Sequence, residues 1–192
     1  MFKDCYELES IEGPLFNPNT PAENIESMFE GCSELKTIPE NMFSGLKNLV
    51  NANNTFSGCK ELETNIDGMF DGCTNLKTVD GLFKNCLNLH SPTRDIFKGC
   101  VNLWNIYCLF YVHPSLIERG NFDSIPKDLF HDCTNISKTE RAFYNRRHIT
   151  HIPETIFNNC NNIRYGYDRS MFGSCGGLDT ESRERAKKNN WL

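Results

Sequence analysis

The sequence predicts an α/β solenoid, a right-handed stack of about seven coils of 27 residues, each with short strands and short helical turns. Three observations support this prediction: one apolar frame recurs through the chain, its spacing is regular, and each unit is too small to bury its own apolar face. Units of this size become stable only when neighbouring coils cover one another. A chain of 192 residues is long enough to bury a continuous core in this way.

The recurring frame reads Phe-x-x-Cys-x-x-Leu, with Ile in place of Leu in two copies, and it is found nine times between residues 2–8 and residues 172–178. Degenerate copies begin at Phe16, Phe43, Phe110 and Phe143. Thirteen of the 14 phenylalanines are therefore in register, and only Phe122 lies outside it. Between Phe29 and Phe110 the steps alternate between 14 and 13 residues, so the structural unit is a double repeat of 27.

The spacing inside one frame predicts its local structure. Met28, Phe29, Cys32 and Leu35 fall at positions i, i+1, i+4 and i+7, which is the apolar stripe of a short amphipathic helix. The segments that follow a frame, such as "LKTIP" and "LKTVD", contain β-tolerant residues and end at Pro or Asp. They predict strands of about three or four residues.

The repeat also predicts the domain organisation. Two halves make a coil of 27 residues, which lies within the range of about 20 to 29 that is usual for leucine-rich repeats. Residues 1–178 are predicted to form the solenoid, and residues 179–192 a C-terminal cap or linker. In this last segment Asp179 or Thr180 is expected to cap a short polar helix that ends in Trp191.

Stacking places residues 27 apart in one row, and the cysteines form two such rows. One contains Cys5, Cys32, Cys59 and Cys86 and continues through His113, Arg146 and Cys175; the other contains Cys73, Cys100, Cys133 and Cys160 and is preceded by Leu46. Neighbouring Cβ vectors in a row point the same way, which is poor disulfide geometry, and Leu46 shows that the position accepts an apolar group. We expect buried, reduced thiols that pack as small apolar side chains, with one or two disulfides or a metal site as the alternatives.

Composition and motifs exclude several classes of function. The net charge of -5 and a pI near 5.6 leave no basic surface for a nucleic-acid backbone. No stretch approaches the roughly 18 to 20 apolar residues that span a bilayer, and the first ten residues lack the features of a secretory signal. No zinc-protease, phosphate-loop, nucleophile-elbow or dinucleotide motif occurs. The sequence therefore predicts a protein that is not an enzyme, with no catalytic residues, no cofactor and no metal.

The frame breaks between Leu103 and Phe130, and we expect the functional site there. The connection from Leu116 to Phe130 is about six residues longer than usual, and insertions in solenoids emerge on one face, often the binding face. The candidate binding residues are Trp104, Tyr107, Tyr111 and His113. Trp104 takes the position of the lysine in "LKT" and is expected to be exposed, which with flanking tyrosines is typical of a contact with a protein or a sugar. The alternative is a disrupted coil whose aromatic side chains repack locally.

Two smaller features of the sequence each have two interpretations. Cys108 lies off the frame, either as an apolar filler beside Phe110 or as a reactive thiol. A basic cluster is expected to lie on a solvated surface, or to contact an anionic sugar or phosphate group; it consists of Arg141, Arg146, Arg147 and His148.

The frame "MFxGCxxLxxI" and the passage "NIESMFEGCSELKTIPENMF" resemble the BspA-like leucine-rich repeat proteins, over residues 2–178. The resemblance implies a protein, found in bacteria and some protists, that adheres to a protein or glycan on a cell or matrix surface. It implies a location at the cell surface or outside the cell, as part of a larger chain, and it supplies no catalytic residues. Similar repeats occur in bacteriophage proteins. The alternation of 13 and 14 residues and the missing signal peptide depart from the common pattern, so a virion fibre, tail or capsid decoration is the alternative.

Overall fold

A computed structural model describes residues 1–17, 19–163 and 170–192. The chain winds through successive coils, and two rows of phenylalanine rings run along the resulting stack. One row contains Phe2, Phe29, Phe56, Phe83, Phe110, Phe143 and Phe172, and the other contains Phe16, Phe43, Phe70, Phe97, Phe130 and Phe157. Consecutive ring centroids in a row are 4.9 to 5.9 Å apart. The predicted register of stacked coils is therefore confirmed.

The two rows meet inside a single apolar core. The ring centroids of Phe43 and Phe56, which belong to different rows, are 6.1 Å apart, and both side chains are fully buried. The cysteine and leucine of each internal frame lie in the same core, as Cys59 and Leu62 show. Each ring contact contributes about 0.5 to 1.5 kcal/mol beyond the area that it buries. The repeated phenylalanine thus holds each coil to the next.

The frames are successive turns, so the short helices predicted within the frames are wrong. The N–H of Cys32 donates to the carbonyl of Phe29 at 3.1 Å, and the N–H of Leu35 donates to that of Cys32 at 3.2 Å. These bonds join residues three apart, whereas an α-helix joins residues four apart. Ser27 and Gly31 have φ values of +54° and +78°, which no right-handed helix contains. Turns with positive φ at the third residue place Phe, Cys and Leu inward as a helix would.

The positive φ values explain the small and polar residues that accompany many of the frame phenylalanines. They fall two residues before and two residues after the ring, at Ser27 and Gly31 around Phe29 and at Asn54 and Gly58 around the next ring of that row. Glycine adopts this conformation without strain, and asparagine tolerates it better than most residues do. The recurrent Gly, Asn and Ser of the sequence therefore specify the turns.

The strands are shorter than predicted, because each is a single parallel β-bridge. One bridge joins Ser10 to Thr37, and one row of bridges runs through Asn24, Asn51, Thr78, Asn105 and Lys138. Turn residues supply further bonds between coils, since Phe29 donates its N–H to the carbonyl of Thr55 at 2.9 Å. Because the turns carry much of the ladder, the straight segments between them do not extend beyond one bridge.

Residues 179–192 pack on the last coil. Helix α1, Thr180–Lys188, begins after Asp179, whose carboxylate accepts the N–H of Ser182 at 2.7 Å. This bond, together with the Ser182 hydroxyl and His151, lowers the pKa of Asp179 to about 2. The chain then turns back, so that the buried Trp191 contacts Phe157 and Phe172 with ring centroids 5.5 and 6.1 Å away. Among the described residues, no helix has both the length and the apolar character needed to cross a membrane.

Candidate binding face

The cysteine rows are buried and hydrogen-bonded to the neighbouring coil. Nine of the ten thiols are buried, as predicted, and Cys5 is exposed. The thiol of Cys59 lies 3.1 Å from the carbonyl oxygen of Phe29, and that of Cys73 lies 3.0 Å from that of Phe43. The cysteine is therefore more than an apolar filler, because its weak S–H donor pairs with a buried carbonyl of the preceding coil.

Native-state alkylation at pH 8 is expected to modify Cys5 quickly and the other nine cysteines slowly. Burial raises the pKa of Cys73 and of Cys86 to about 12, so at pH 8 both side chains stay in the unreactive thiol form. Thiols in the unfolded chain have a pKa of about 8.5. The free energy of unfolding therefore falls as the pH rises from that value towards 12, and the buried thiols cause no such loss at lower pH. Mass spectrometry of iodoacetamide-treated protein measures the sites, and rapid labelling of Cys73 or Cys86 would contradict the buried rows.

The prediction of a solvated basic cluster is wrong for Arg146, which occupies a cysteine position and has a side chain that is 0% exposed, whereas Arg147 and His148 are exposed. The Nε of Arg146 donates to the carbonyl of Phe110 at 2.7 Å, which is the bond that a thiol makes in the other coils. One terminal nitrogen donates to Glu118 at 2.7 Å, and the other donates to the carbonyl of Cys86 at 3.3 Å. The guanidinium carbon also lies 4.7 Å from the centre of the Phe122 ring. The arginine thus spans two coils.

The long connection after Leu116, which was expected to emerge on one face, folds back in part onto the core. Glu118 is 7% exposed and Phe122 is fully buried, with the Phe122 ring centroid 4.8 Å from that of Phe110. His113, which precedes Arg146 in the cysteine row, is exposed. The insertion and the arginine therefore replace two cysteines, filling the core where the regular frame fails.

Trp104 lies beside the row of β-bridges and is 42% exposed, in agreement with the expectation. Its N–H donates to the carbonyl of Lys77 at 3.0 Å, and its own carbonyl accepts from Ser137 at 3.0 Å and from Lys138 at 3.1 Å. The backbone of Trp104 is thus bonded to the coils on both sides. The indole is held on a rigid segment, so little conformational entropy is lost when it binds.

Tyr107 and Tyr111 lie on the same coil and are half-buried. The Lys138 ammonium lies 4.6 Å from the centre of the Tyr107 ring. The Tyr111 ring contacts Tyr144 with centroids 5.5 Å apart, and His113 edge-on at 6.5 Å. Tyr144 was not among the predicted binding residues, although it follows the phenylalanine of its frame immediately, as Tyr111 does. We call Trp104, Tyr107, Tyr111 and Tyr144 the aromatic face.

The aromatic face can bind through apolar contact and through phenol hydroxyl groups. Cys108 raises the pKa of Tyr107, and burial raises that of Tyr111, so both phenols keep their protons at neutral pH. Cys108 itself is buried, and burial raises its pKa to about 11, which favours the filler over the reactive thiol. Among the described residues, Tyr111 and His113 form a ring contact, whereas Trp104 forms none with the other three candidates.

In the other phenylalanine row, near Phe97, the insertion interrupts the backbone hydrogen bonds between neighbouring coils. Gly99 donates its N–H to the carboxylate of Asp132 at 2.9 Å, and Phe97 donates to that of Asp95 at 2.7 Å. A cleft of about 330 Å³ opens between residues 93–98 and residues 126–128. Burial, with a smaller contribution from the Asp132 carboxylate, raises the pKa of Asp95 to about 7. Within residues 1–17, 19–163 and 170–192, no group of three or more His, Cys, Asp or Glu could hold a metal ion.

Comparisons with known proteins return solved structures only. No family model matches the chain, and no curated protein matches it. The chain is similar to TLR13 in the crystal structure of its complex with ssRNA13, with 17% identity and a TM-score of 0.28 over 82% of this chain and 30% of that chain. It is also similar to a leucine-rich repeat protein from Bacteroides ovatus ATCC 8483, with 20% identity and a TM-score of 0.23 over 92% of this chain and 61% of that chain. The chain thus spans less than two thirds of the length of either structure.

Proposed function

We propose that this chain is a non-enzymatic repeat module that binds a protein or glycan ligand through its aromatic face. The observation that carries the proposal is the exposed indole of Trp104, held by backbone hydrogen bonds from both neighbouring coils. We further propose that the module belongs with the BspA-like repeats and supports adhesion at a cell or matrix surface. The repeated frame of residues 2–178 supports that part.

The chemistry of the aromatic face supports binding. Tryptophan and tyrosine dominate the energetics of many binding surfaces, because a large ring supplies contact area with few rotatable bonds. Trp104 adds an exposed apolar ring, and Tyr107 and Tyr111 add hydroxyl groups that both donate and accept hydrogen bonds. Lys138 and Lys84 lie over two of these rings and add positive charge at the edge of the face.

Replacing Trp104 and Tyr111 by alanine should weaken ligand capture at least about tenfold while the thermal unfolding midpoint stays close to that of the wild type. The backbone bonds of Trp104 do not depend on its side chain, which is why the stack should persist. The measurement uses a glycan array and a panel of immobilised extracellular-matrix proteins. Tyr6→Ala is the matched control, since Tyr6 is 60% exposed and lies outside the aromatic face. Equal capture by all variants would remove this face from consideration.

A further inference from the structure

Three rows of side chains lead along the stack to the aromatic face, and each row changes its chemistry on the way. Neighbours in a row are 27 residues apart. The rows are Glu23, Val50, Lys77 and Trp104; Glu26, Asn53, Asp80 and Tyr107; and Glu30, Ser57, Lys84 and Tyr111. In the first row, each residue after Glu23 donates its N–H to the carbonyl of the one before it, at 2.8 to 3.0 Å. Each row therefore runs from a glutamate to an aromatic residue three coils further on.

Positive side chains flank the aromatic face, although the whole chain has a net charge of -5. The coils before and after it contribute Lys77, Lys84, Lys138 and Arg141. Two carboxylates belong to the same rows, those of Asp80 and Glu140, and the Asp80 carboxylate lies 3.9 Å from the Lys138 ammonium. The surroundings of the face therefore carry an excess of positive charge.

The ammonium groups of Lys77 and Lys84 are available to a ligand. Within residues 1–17, 19–163 and 170–192, neither lysine forms an ion pair. Lys77 is exposed and directly precedes Trp104 in its row, and the Lys84 ammonium lies 5.9 Å from the centre of the Tyr111 ring. Each cation thus lies beside an aromatic residue of the next coil.

The backbone of the aromatic coil, which contains Trp104, Tyr107 and Tyr111, is already hydrogen-bonded to its neighbours. The carbonyl of Tyr107 accepts from Gly81 and that of Tyr111 accepts from Asn85, both at 2.8 Å. A peptide that binds as an added strand needs free backbone groups at a sheet edge, which this face does not offer. A sugar uses side chains instead, since its C–H groups pack on an aromatic ring and its hydroxyls pair with polar side chains.

We infer that the aromatic face binds an anionic glycan, a polysaccharide that carries carboxylate or sulfate groups. This inference rests on the proposed function and names the class of ligand for the same face. A sugar ring packs on the exposed indole of Trp104, and the acid groups of the glycan contact the ammonium groups of Lys77 and Lys84. The phenol hydroxyls of Tyr107 and Tyr111 pair with sugar hydroxyls.

The glutamates of the three rows limit the site to the coils around the aromatic face. They lie three coils from its rings, and successive phenylalanine rings along this part of the stack are 5.4 to 5.6 Å apart. That separation is about twice the screening length of about 8 Å at physiological ionic strength, so the glutamates hardly affect an acid group beside Trp104. An acid group placed over the glutamates themselves is repelled. The rows therefore determine where along the stack the glycan binds.

Surface plasmon resonance with matched polysaccharides tests the inference. Dextran and dextran sulfate share one sugar backbone and differ in charge, so the protein should bind dextran sulfate at least about tenfold more tightly. Polygalacturonate shows whether carboxylate groups serve as well as sulfate groups. Because salt screens the lysines, binding should weaken at least about tenfold between about 50 and 500 mM NaCl. Equal binding to dextran and dextran sulfate, or binding to neither anionic polysaccharide, would overturn the inference.

Two double variants test the lysines. Lys77→Gln combined with Lys84→Gln should weaken binding to dextran sulfate at least about tenfold and leave the thermal unfolding midpoint unchanged. Lys47→Gln combined with Lys60→Gln is the matched control, because it removes the same charge from exposed lysines outside the aromatic face. Equal affinities of the two double variants would mean that the acid groups do not bind at Lys77 and Lys84, and the inference would fail.

Further probes separate this inference from the proposed function. Capture of a neutral glycan or a matrix protein that requires Trp104 but not Lys77 and Lys84 would overturn the anionic ligand and leave the proposed function in place. Polyglutamate and poly(U), compared at equal concentrations of charge, test for a general attraction of polyanions. Each should bind at least about tenfold more weakly than dextran sulfate. Binding of either as tightly as dextran sulfate would overturn the assignment of a glycan.

Discussion

Replacing Glu118 by alanine is expected to lower the free energy of unfolding by about 3 to 5 kcal/mol. The side chains of Arg146 and Glu118 are 0% and 2% exposed, and the guanidinium nitrogen lies 2.7 Å from the carboxylate. Removal of the carboxylate leaves a buried positive charge without its counter-ion. The backbone N–H of Arg147, which donates to the same carboxylate at 3.1 Å, also loses its partner. Urea denaturation at neutral pH measures the change.

Two variants separate the effect of charge from other effects of substitution at this site. Glu118→Gln keeps the size of the side chain and one acceptor oxygen, so it should lose less stability than Glu118→Ala while still leaving Arg146 unneutralised. Glu154→Ala removes a carboxylate that is 73% exposed and lies 3.0 Å from Arg185, and it should change stability by about 1 kcal/mol or less. If Glu118→Ala were no more costly than Glu154→Ala, the buried pair would not be a stabilising contact of the fold.

Gly120→Ala is expected to destabilise the protein by about 3 kcal/mol or more. A Cβ atom at this position would lie 2.4 Å from the carbonyl carbon and oxygen of Asn88 and from the oxygen of Leu89, all of them backbone atoms. The segment is held there because Arg119 and Gly120 donate their N–H groups to the carbonyl of Leu87 at 2.7 and 2.8 Å. Residues 119–120 and residues 87–89 cannot move apart without breaking these hydrogen bonds. Thermal and urea unfolding give the size of the effect.

Gly176→Ala is the matched control for this prediction. A Cβ atom at Gly176 meets nothing within 4 Å, so the substitution should change stability by less than about 1 kcal/mol. The comparison separates the close approach of Gly120 to residues 88–89 from the general effect of replacing glycine by alanine. Similar unfolding midpoints for Gly120→Ala and Gly176→Ala would mean that the insertion packs more loosely than the structure shows.

The repeat predicted the register of the stack but not its local conformation. Residues 27 apart, such as Phe29 and Phe56, must occupy equivalent places in a stack, so spacing alone defines the rows. The apolar spacing that predicted a helix is shared by a run of turns, each of which advances the chain by three residues. Ser27 and Gly31 could have decided between the two, because residues that tolerate positive φ recur around many of the frame phenylalanines.

The candidate site was predicted where the frame breaks, and the structure divides that region in two. Exposure of Trp104 follows from its position in the repeat, which internal lysines also hold. Burial of Arg146 could have been inferred, because it occupies a cysteine position that is buried in most other coils. Its partner Glu118 could not have been identified, because 28 residues separate the two and the path of an irregular insertion is not encoded by any period.

The buried thiols make unfolding a one-way event in an oxidising medium. While the stack is intact, nine of the ten cysteines are buried, and burial keeps thiols such as Cys73 protonated. A chain that opens releases all of them at once, with no native pairing to guide their oxidation. An oxidant that removes two electrons and two protons from each pair of exposed thiols then joins them as disulfides that the native stack does not contain. Under an oxidant that acts faster than the coils restack, the lifetime of this protein is determined by the rate at which the stack first opens.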